Sequence, residues 1–209
     1  MPDRKPASGT NRSTVDPAAA VLPSADQRLA LTTIAPPHPA VWQLDELLAK
    51  CEFRTQARGG PGGQHRNRTA SGVFVTFRPM EITAEATEQR NQHRNREIAI
   101  RRLRYVLAVS LRTTSPLAIE SGDPLSAAEH ELRDRYRGTP LKLADDNRLK
   151  PAVTALLLND MHVAGGQPSL VAPLWRVSTS RVANLLRTHP PAWTLVNRIR
   201  AHHGRGPLR

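Results

Sequence analysis

The sequence is poor in cysteine, lysine, aromatic residues and long apolar runs, and each shortage removes a class of function. Cys51 is the only cysteine among 209 residues, so no internal disulfide and no cysteine-built zinc site can form. Only Lys5, Lys50, Lys142 and Lys150 carry an ammonium, so the stretch 51–141 contains no Gly-Lys-Ser/Thr phosphate loop. Aromatic residues make up 4%, so the core rests mainly on Leu, Val, Ile and Ala. No apolar run reaches the roughly 20 residues that span a bilayer. The N-terminus lacks a signal-like apolar segment, and Asp3, Asp16 and Asp26 argue against a transit peptide. A cytoplasmic chain without membrane contact is the expectation.

Arginine is abundant instead. The formal net charge is +12, which points to a polyanionic partner. The excess is localised. Residues 41–112 carry thirteen Lys/Arg against seven Asp/Glu, and residues 169–209 carry seven arginines and no acid. A charge serving solubility alone would spread more evenly, and guanidinium groups suit bidentate phosphate contacts.

Composition divides the chain into four segments. Residues 1–40, punctuated by Pro2, Pro6, Pro17, Pro23, Pro36, Pro37 and Pro39, read as disordered. Residues 41–112 read as an α+β unit. Trp42, Leu44, Leu47 and Leu48 predict a short helix, an extended segment follows to Gln56, and Gly72–Arg78 and Glu81–Ala86 alternate as strands. The stretch from about Glu88 to Leu111 lacks Gly and Pro and carries an apolar stripe, which predicts one long helix lined with arginines. Residues 113–168 read as a helical linker region, with helices over Ser126–Tyr136 and roughly Ala144–Val163. Residues 169–209 read as a basic helical C-terminal module, with helices near Ser169–Trp175, Thr179–Leu186 and Pro191–His202. The fold class is therefore α+β: a small mixed sheet, one long helix and a large glycine loop, followed by an all-helical region.

The loop Gly59-Gly60-Pro61-Gly62-Gly63-Gln64-His65 is the most informative segment. It is not a dinucleotide loop, because His65 stands where GxGxxG needs its third glycine. Arg54, Arg58, Arg66 and Arg68 flank it with no acid between them. Glycines let backbone approach RNA closely, and the exposed N–H groups can stabilise a developing oxyanion. Gln64 cannot act as a general base, since its amide does not titrate near neutrality, but it can position a water.

The run Arg58–Ser71 resembles the GGQ catalytic loop of class I peptide chain release factors, and Arg90-Asn91-Gln92-His93-Arg94-Asn95-Arg96 resembles the opening of that family's long helix. Two blocks in order identify the relationship where one triplet would not. The resemblance implies that Gly62, Gly63 and Gln64 enter the peptidyl-transferase centre and help water attack the peptidyl-tRNA ester. The ribosome supplies much of that site, so no Ser/His/Asp array, cofactor or metal is required. The RNA-contacting set expected here is Arg58, His65, Arg66, Asn67, Arg68, Arg90, Gln92 and Asn95, with His65 shaping the loop rather than acting as a base or ligand. The sequence departs from the family at Gly59, at Arg66 and in the turn Arg78-Pro79-Met80-Glu81.

A second triplet, Gly165-Gly166-Gln167, lacks the basic flank and precedes Pro168, so it reads as a helix stop. Codon reading in the family uses a separate domain ahead of the GGQ unit. Here only residues 1–40 and one helix precede the loop, so codon-independent hydrolysis, as in the small ribosome-rescue enzymes, is the expectation. The partners expected are the ribosome, its rRNA and peptidyl-tRNA, met by a monomer. Arg176, Arg181, Arg187, Arg198 and Arg200 are the C-terminal candidates for rRNA phosphate. Two other readings stand beside this one. The chain is then a non-catalytic rRNA-binding factor, or a nucleic-acid regulator using the helix-turn-helix outline at Ser169–Leu186.

Overall fold

The structure, a computed structural model, describes residues 21–56, 71–121 and 126–209. After a short helix α1 (Leu44–Ala49), strands β2 (Cys51–Gln56), β3 (Gly72–Phe77) and β4 (Ile82–Ala86) form an antiparallel sheet in the order β2-β3-β4. Its register pairs Cys51 with Phe77, Gln56 with Gly72, and Val73 with Ala86. Alternation sends Val73, Val75 and Phe77 inward with Ala84 and Ala86, while Phe74 and Thr76 lie on the outer face. The inward set meets Ala99, Leu103 and Leu107, which recur at four-residue spacing on the long helix α2 (Gln92–Ser110). Asn91 caps that helix by accepting from the Arg94 N–H at 3.2 Å.

Helix α2 runs directly into β5 (Leu111–Arg112), which pairs in parallel with β1 (Thr32–Thr33). Both senses of pairing therefore occur, antiparallel in the three-stranded sheet and parallel in this two-residue bridge, within the α+β class expected. Beyond it stand α3 (Ala127–Tyr136), α4 (Lys150–Val163), α5 (Pro168–Trp175), α6 (Thr179–Arg187) and α7 (Pro190–His202). Every α4 residue except His162 is buried. Its apolar residues have no single face because α2 lies on one side and the other helices enclose it.

Four sequence expectations change. Residues 21–40 are ordered: Pro23, His38, Pro39 and Ala40 are buried, and Leu29 and Leu31 pack on the helical core. Proline-rich chain is compatible with order when it lies extended over a surface that buries it. Residues 113–168 are no linker, since α4 is the centre of the second core. The boundary at 168/169 falls within that one core, which runs from Leu132 through Met161 and Trp175 to Ile199. Helix α4 also starts at Lys150 rather than near Ala144, with Pro151 in its first turn.

A buried polar network joins the two units. Glu129 Oε1 accepts from the His38 N–H at 2.7 Å and from Thr113 Oγ1 at 2.8 Å. Asp160 accepts from Ser115 Oγ (2.7 Å), Arg133 Nη2 (3.1 Å) and Trp175 Nε1 (2.7 Å). Arg112 donates to the Ala108 and Val109 carbonyls, closing the end of α2, and to Asn159 on α4. Two cations and two anions are thus withdrawn from water together, which is tolerable only because each is bonded.

Candidate functional site

The catalytic candidates Gly62, Gly63 and Gln64 lie outside the described residues, as do Arg58, His65, Arg66, Asn67 and Arg68. What is described is the frame that presents them. The pairing of Gln56 with Gly72 brings the two ends of the loop together at the edge of the sheet. Gly72 is buried there. A Cβ at this position would sit 3.0 Å from the Gln56 carbonyl oxygen and 3.2 Å from Thr87 Cγ2, so any larger residue would have to push these neighbours back by a few tenths of an ångström.

Asn95 closes the stem. Its Nδ2 donates to the Ser71 carbonyl at 2.6 Å and to the Gln89 carbonyl at 2.9 Å, and its Oδ1 accepts from the Gln89 N–H at 2.9 Å. The side chain is fully buried, which corrects its expected place among the RNA-contacting residues. Its amide is consumed in fixing the last residue before β3 and the approach to α2. Only an amide supplies both donor and acceptor in that geometry. Sequence alone showed Asn95 within a motif but could not tell a contact from a clamp.

Around this stem, Arg90, Gln92, Arg94 and Arg96 on the first turns of α2 and the segment before it are exposed, as is Arg54 on β2. Arg96 lies 3.7 Å from the Phe53 ring centroid and Arg54 lies 5.1 Å from that of Phe74. Cation–π stacking leaves a guanidinium charged and orients its plane. Among the described residues none of Arg54, Arg90, Arg94 and Arg96 forms an ion pair, whereas Arg78 pairs with Glu52 and Arg102 with Glu88. The stem therefore presents uncompensated positive charge close to the loop's exit points. Arg104, further along α2, is different: it donates to the Ala40 and Trp42 carbonyls and braces the N-terminal segment.

The C-terminal arginines separate in the same way. Arg176, Arg181, Arg187 and Arg198 are exposed. Arg200 is half-buried and donates to the Gly166 carbonyl at 2.7 Å and the Gly206 carbonyl at 2.6 Å. Desolvation holds its basicity below the ordinary arginine value. It holds the end of α4 to α7 rather than facing a partner. The second triplet is a helix stop. The Gly166 N–H reaches the Met161 carbonyl at 2.8 Å and the Gly165 N–H reaches that of His162 at 3.1 Å, with φ of +74° and +58°. A Cβ on Gly166 would meet Arg200 Cγ at 2.4 Å.

No other described group offers hydrolytic chemistry. His38 is buried with Nδ1 accepting from the Ala40 N–H and Nε2 bonded to the Leu111 carbonyl, and desolvation pushes its pKa down to about 3. That pairing makes Nε2 the protonated nitrogen of a neutral ring. Burial raises the Cys51 thiol above its ordinary range, away from a reactive thiolate. Among the described residues no cluster of His, Cys, Asp or Glu is arranged to hold a metal ion, and no helix is long and apolar enough to cross a membrane. A groove of about 930 Å³ between Thr32, Ser110, Pro190, Thr194 and Arg198 contains no nucleophile with an adjacent base.

Comparison with known proteins falls on this same part of the chain. Residues 46–130 match the RF-1 domain family. Peptide chain release factor 1 of Dictyoglomus thermophilum is 50% identical over 99 residues, which is 46% of this chain and 27% of the relative. The chain thus spans about a quarter of the length of that relative. The resemblance to the GGQ domain of class I release factors holds over the matched segment, and the α+β architecture expected from the sequence is the one observed.

Proposed function

We propose that the protein hydrolyses the ester of peptidyl-tRNA on the ribosome, and does so without reading a stop codon. Gly62, Gly63 and Gln64 carry the reaction. Backbone N–H groups of the loop stabilise charge developing on the ester oxygen, and the Gln64 amide positions the attacking water. The observation that carries the reading is the stem: an RF-1 segment in which Gly72 and Asn95 fix the base of the Arg58–Ser71 loop, ringed by unpaired arginines. A frame that holds the loop's ends rigidly contributes by orientation, since misplacement of about 1 Å can cost on the order of 10²-fold in rate.

The codon-independent form draws support from how the rest of the chain is used. Residues 21–43 pack over both units, Leu29 and Leu31 on the helical core and Ile34 and Trp42 on the other, and residues 169–209 carry seven arginines and no acid, which suits RNA phosphate rather than a codon. The test is peptide release from purified ribosomes carrying peptidyl-tRNA with a stop codon, with truncated mRNA, or as split large subunits. Release from all three at comparable rates supports the proposal; release only with a stop codon overturns its codon-independent part.

A further inference from the structure

The region α5–α6 holds a feature that peptide release does not use. Helix α5 has eight residues and α6 has nine, joined by the three-residue turn Arg176-Val177-Ser178. Val171, Ala172, Trp175, Val182, Leu185 and Leu186 are buried between them and the neighbouring helices. The turn is made by Arg176 itself, at φ +50° and ψ +47°, with its N–H on the Pro173 carbonyl. Glycine adopts that conformation freely and arginine does not. The strained position nonetheless presents an exposed guanidinium, and strain of this kind collects where a side chain is used.

Helix α6 is sharply two-sided. Its outward residues Ser180, Arg181, Asn184 and Arg187 follow helical spacing along one face, and all are exposed. Ser178 caps the helix by accepting from the Arg181 N–H. No acid occurs anywhere in residues 169–209, so nothing on this unit neutralises the face. Its C-terminal end is broad rather than bare. Arg187 stacks 4.8 Å from the Trp193 ring centroid and donates to the Arg209 carbonyl, and Leu208 N–H is held by Asn197.

We propose that this helix-turn-helix unit docks by Arg176, Ser180, Arg181, Asn184 and Arg187 on the backbone of double-helical RNA, across its shallow groove. The charge selects a polyanion, and the helix-turn-helix geometry selects a duplex over a single strand. The flanking tail selects RNA. A bare recognition helix enters the major groove of B-form DNA, whereas a broadened face suits the wide, shallow minor groove of an A-form helix, where phosphates and 2′-hydroxyls are offered. The proposal rests on the ribosomal reading above only for where such a duplex is met.

The test is binding of the full chain to an RNA duplex of about 16 base pairs, to its single strand, and to a DNA duplex of the same sequence, across a salt series. The RNA duplex is expected to bind roughly ten-fold more tightly than the single strand, and Arg176→Gln and Arg181→Gln each to lower the salt slope by about one. Arg135→Gln, exposed on α3, should bind as wild type. Wild-type binding by both Arg176→Gln and Arg181→Gln, equal binding of the single strand, or tighter binding of the DNA duplex would overturn it. Gln64→Ala separates the two proposals. It should leave duplex binding intact, so lost release with unchanged Arg176 and Arg181 variants sinks the docking alone. Retained release with weakened Arg variants sinks the hydrolysis alone.

Discussion

The loop-bearing unit and the helical unit differ in whether charge enters the core. In the first, the core of Leu47, Val75, Phe77, Leu103 and Leu107 is apolar apart from Asn95, and the arginines stand outside, several without an acid. In the second, Arg112, Arg133, Glu129 and Asp160 are buried and joined in one network, and His38 and Trp175 are bonded into it. External unpaired charge costs little in water and remains available to a polyanion. Internal charge costs several kcal/mol per ion unless partnered, so it serves to fix how α2, α3, α4 and the 21–40 segment meet. Both units carry exposed arginines, but only the second also buries charge to hold its elements in register.

That contrast can be broken or sharpened by substitution. The largest loss of stability is expected for Asp160→Ala, which leaves buried Arg133 with only the longer Glu129 pair at 3.7 Å and frees three donors. Urea unfolding should show a decrease of about 3–5 kcal/mol, and a change below about 1 kcal/mol would mean that the network is not holding the units together. Asn95→Ala comes next, at roughly 1–3 kcal/mol for the unsatisfied Ser71 and Gln89 groups. Its release rate should fall further than its stability explains, because the stem is loosened; release unchanged in the folded variant would remove Asn95 from the account.

Acid should act chiefly on the helical unit and its joint. His38 titrates near 3 in the folded chain against an ordinary 6.5, and burial also lowers His162 and His189. The unfolded chain binds these protons first, so stability is full above about pH 6.5 and declines below it, for His38 down to about pH 3, by at most about 1.4 kcal/mol per pH unit. His38→Gln should flatten the decline, as read from thermal midpoints over that window. Gly166→Ala should destabilise by more than the about 1–2 kcal/mol of its left-handed backbone, since the added Cβ would meet Arg200 Cγ at 2.4 Å, but its effect on peptide release should be the smallest, with the rate unchanged. Lost release in that variant would mean the second triplet is more than a helix stop.

Much of this was legible from residue pattern. Period-two alternation located β3 and β4, and the absence of Gly and Pro with a four-residue apolar repeat located α2. Pro168 after Gly165-Gly166 marked the stop of α4. What stayed hidden depends on long-range partners. The 21–40 segment is ordered by surfaces contributed from α4 and α7, which its own composition cannot reveal. The buried network left one trace, Asn159-Asp160 interrupting an otherwise apolar helix, since such residues survive in a core only with partners. Arg200 and Arg181 look alike in sequence, and only the Gly166 carbonyl distinguishes a brace from a contact.

The most direct measurement is the rate of peptide release from peptidyl-tRNA on purified ribosomes, wild type against Gln64→Ala, at matched ribosome occupancy. Loss of a positioned amide and disturbance of the oxyanion site should slow release by roughly 10²-fold or more while binding is kept. Equal rates for the two proteins, or no release by the wild type from any of the three ribosomal substrates, would contradict the assignment of the Gly62-Gly63-Gln64 loop as the hydrolytic centre.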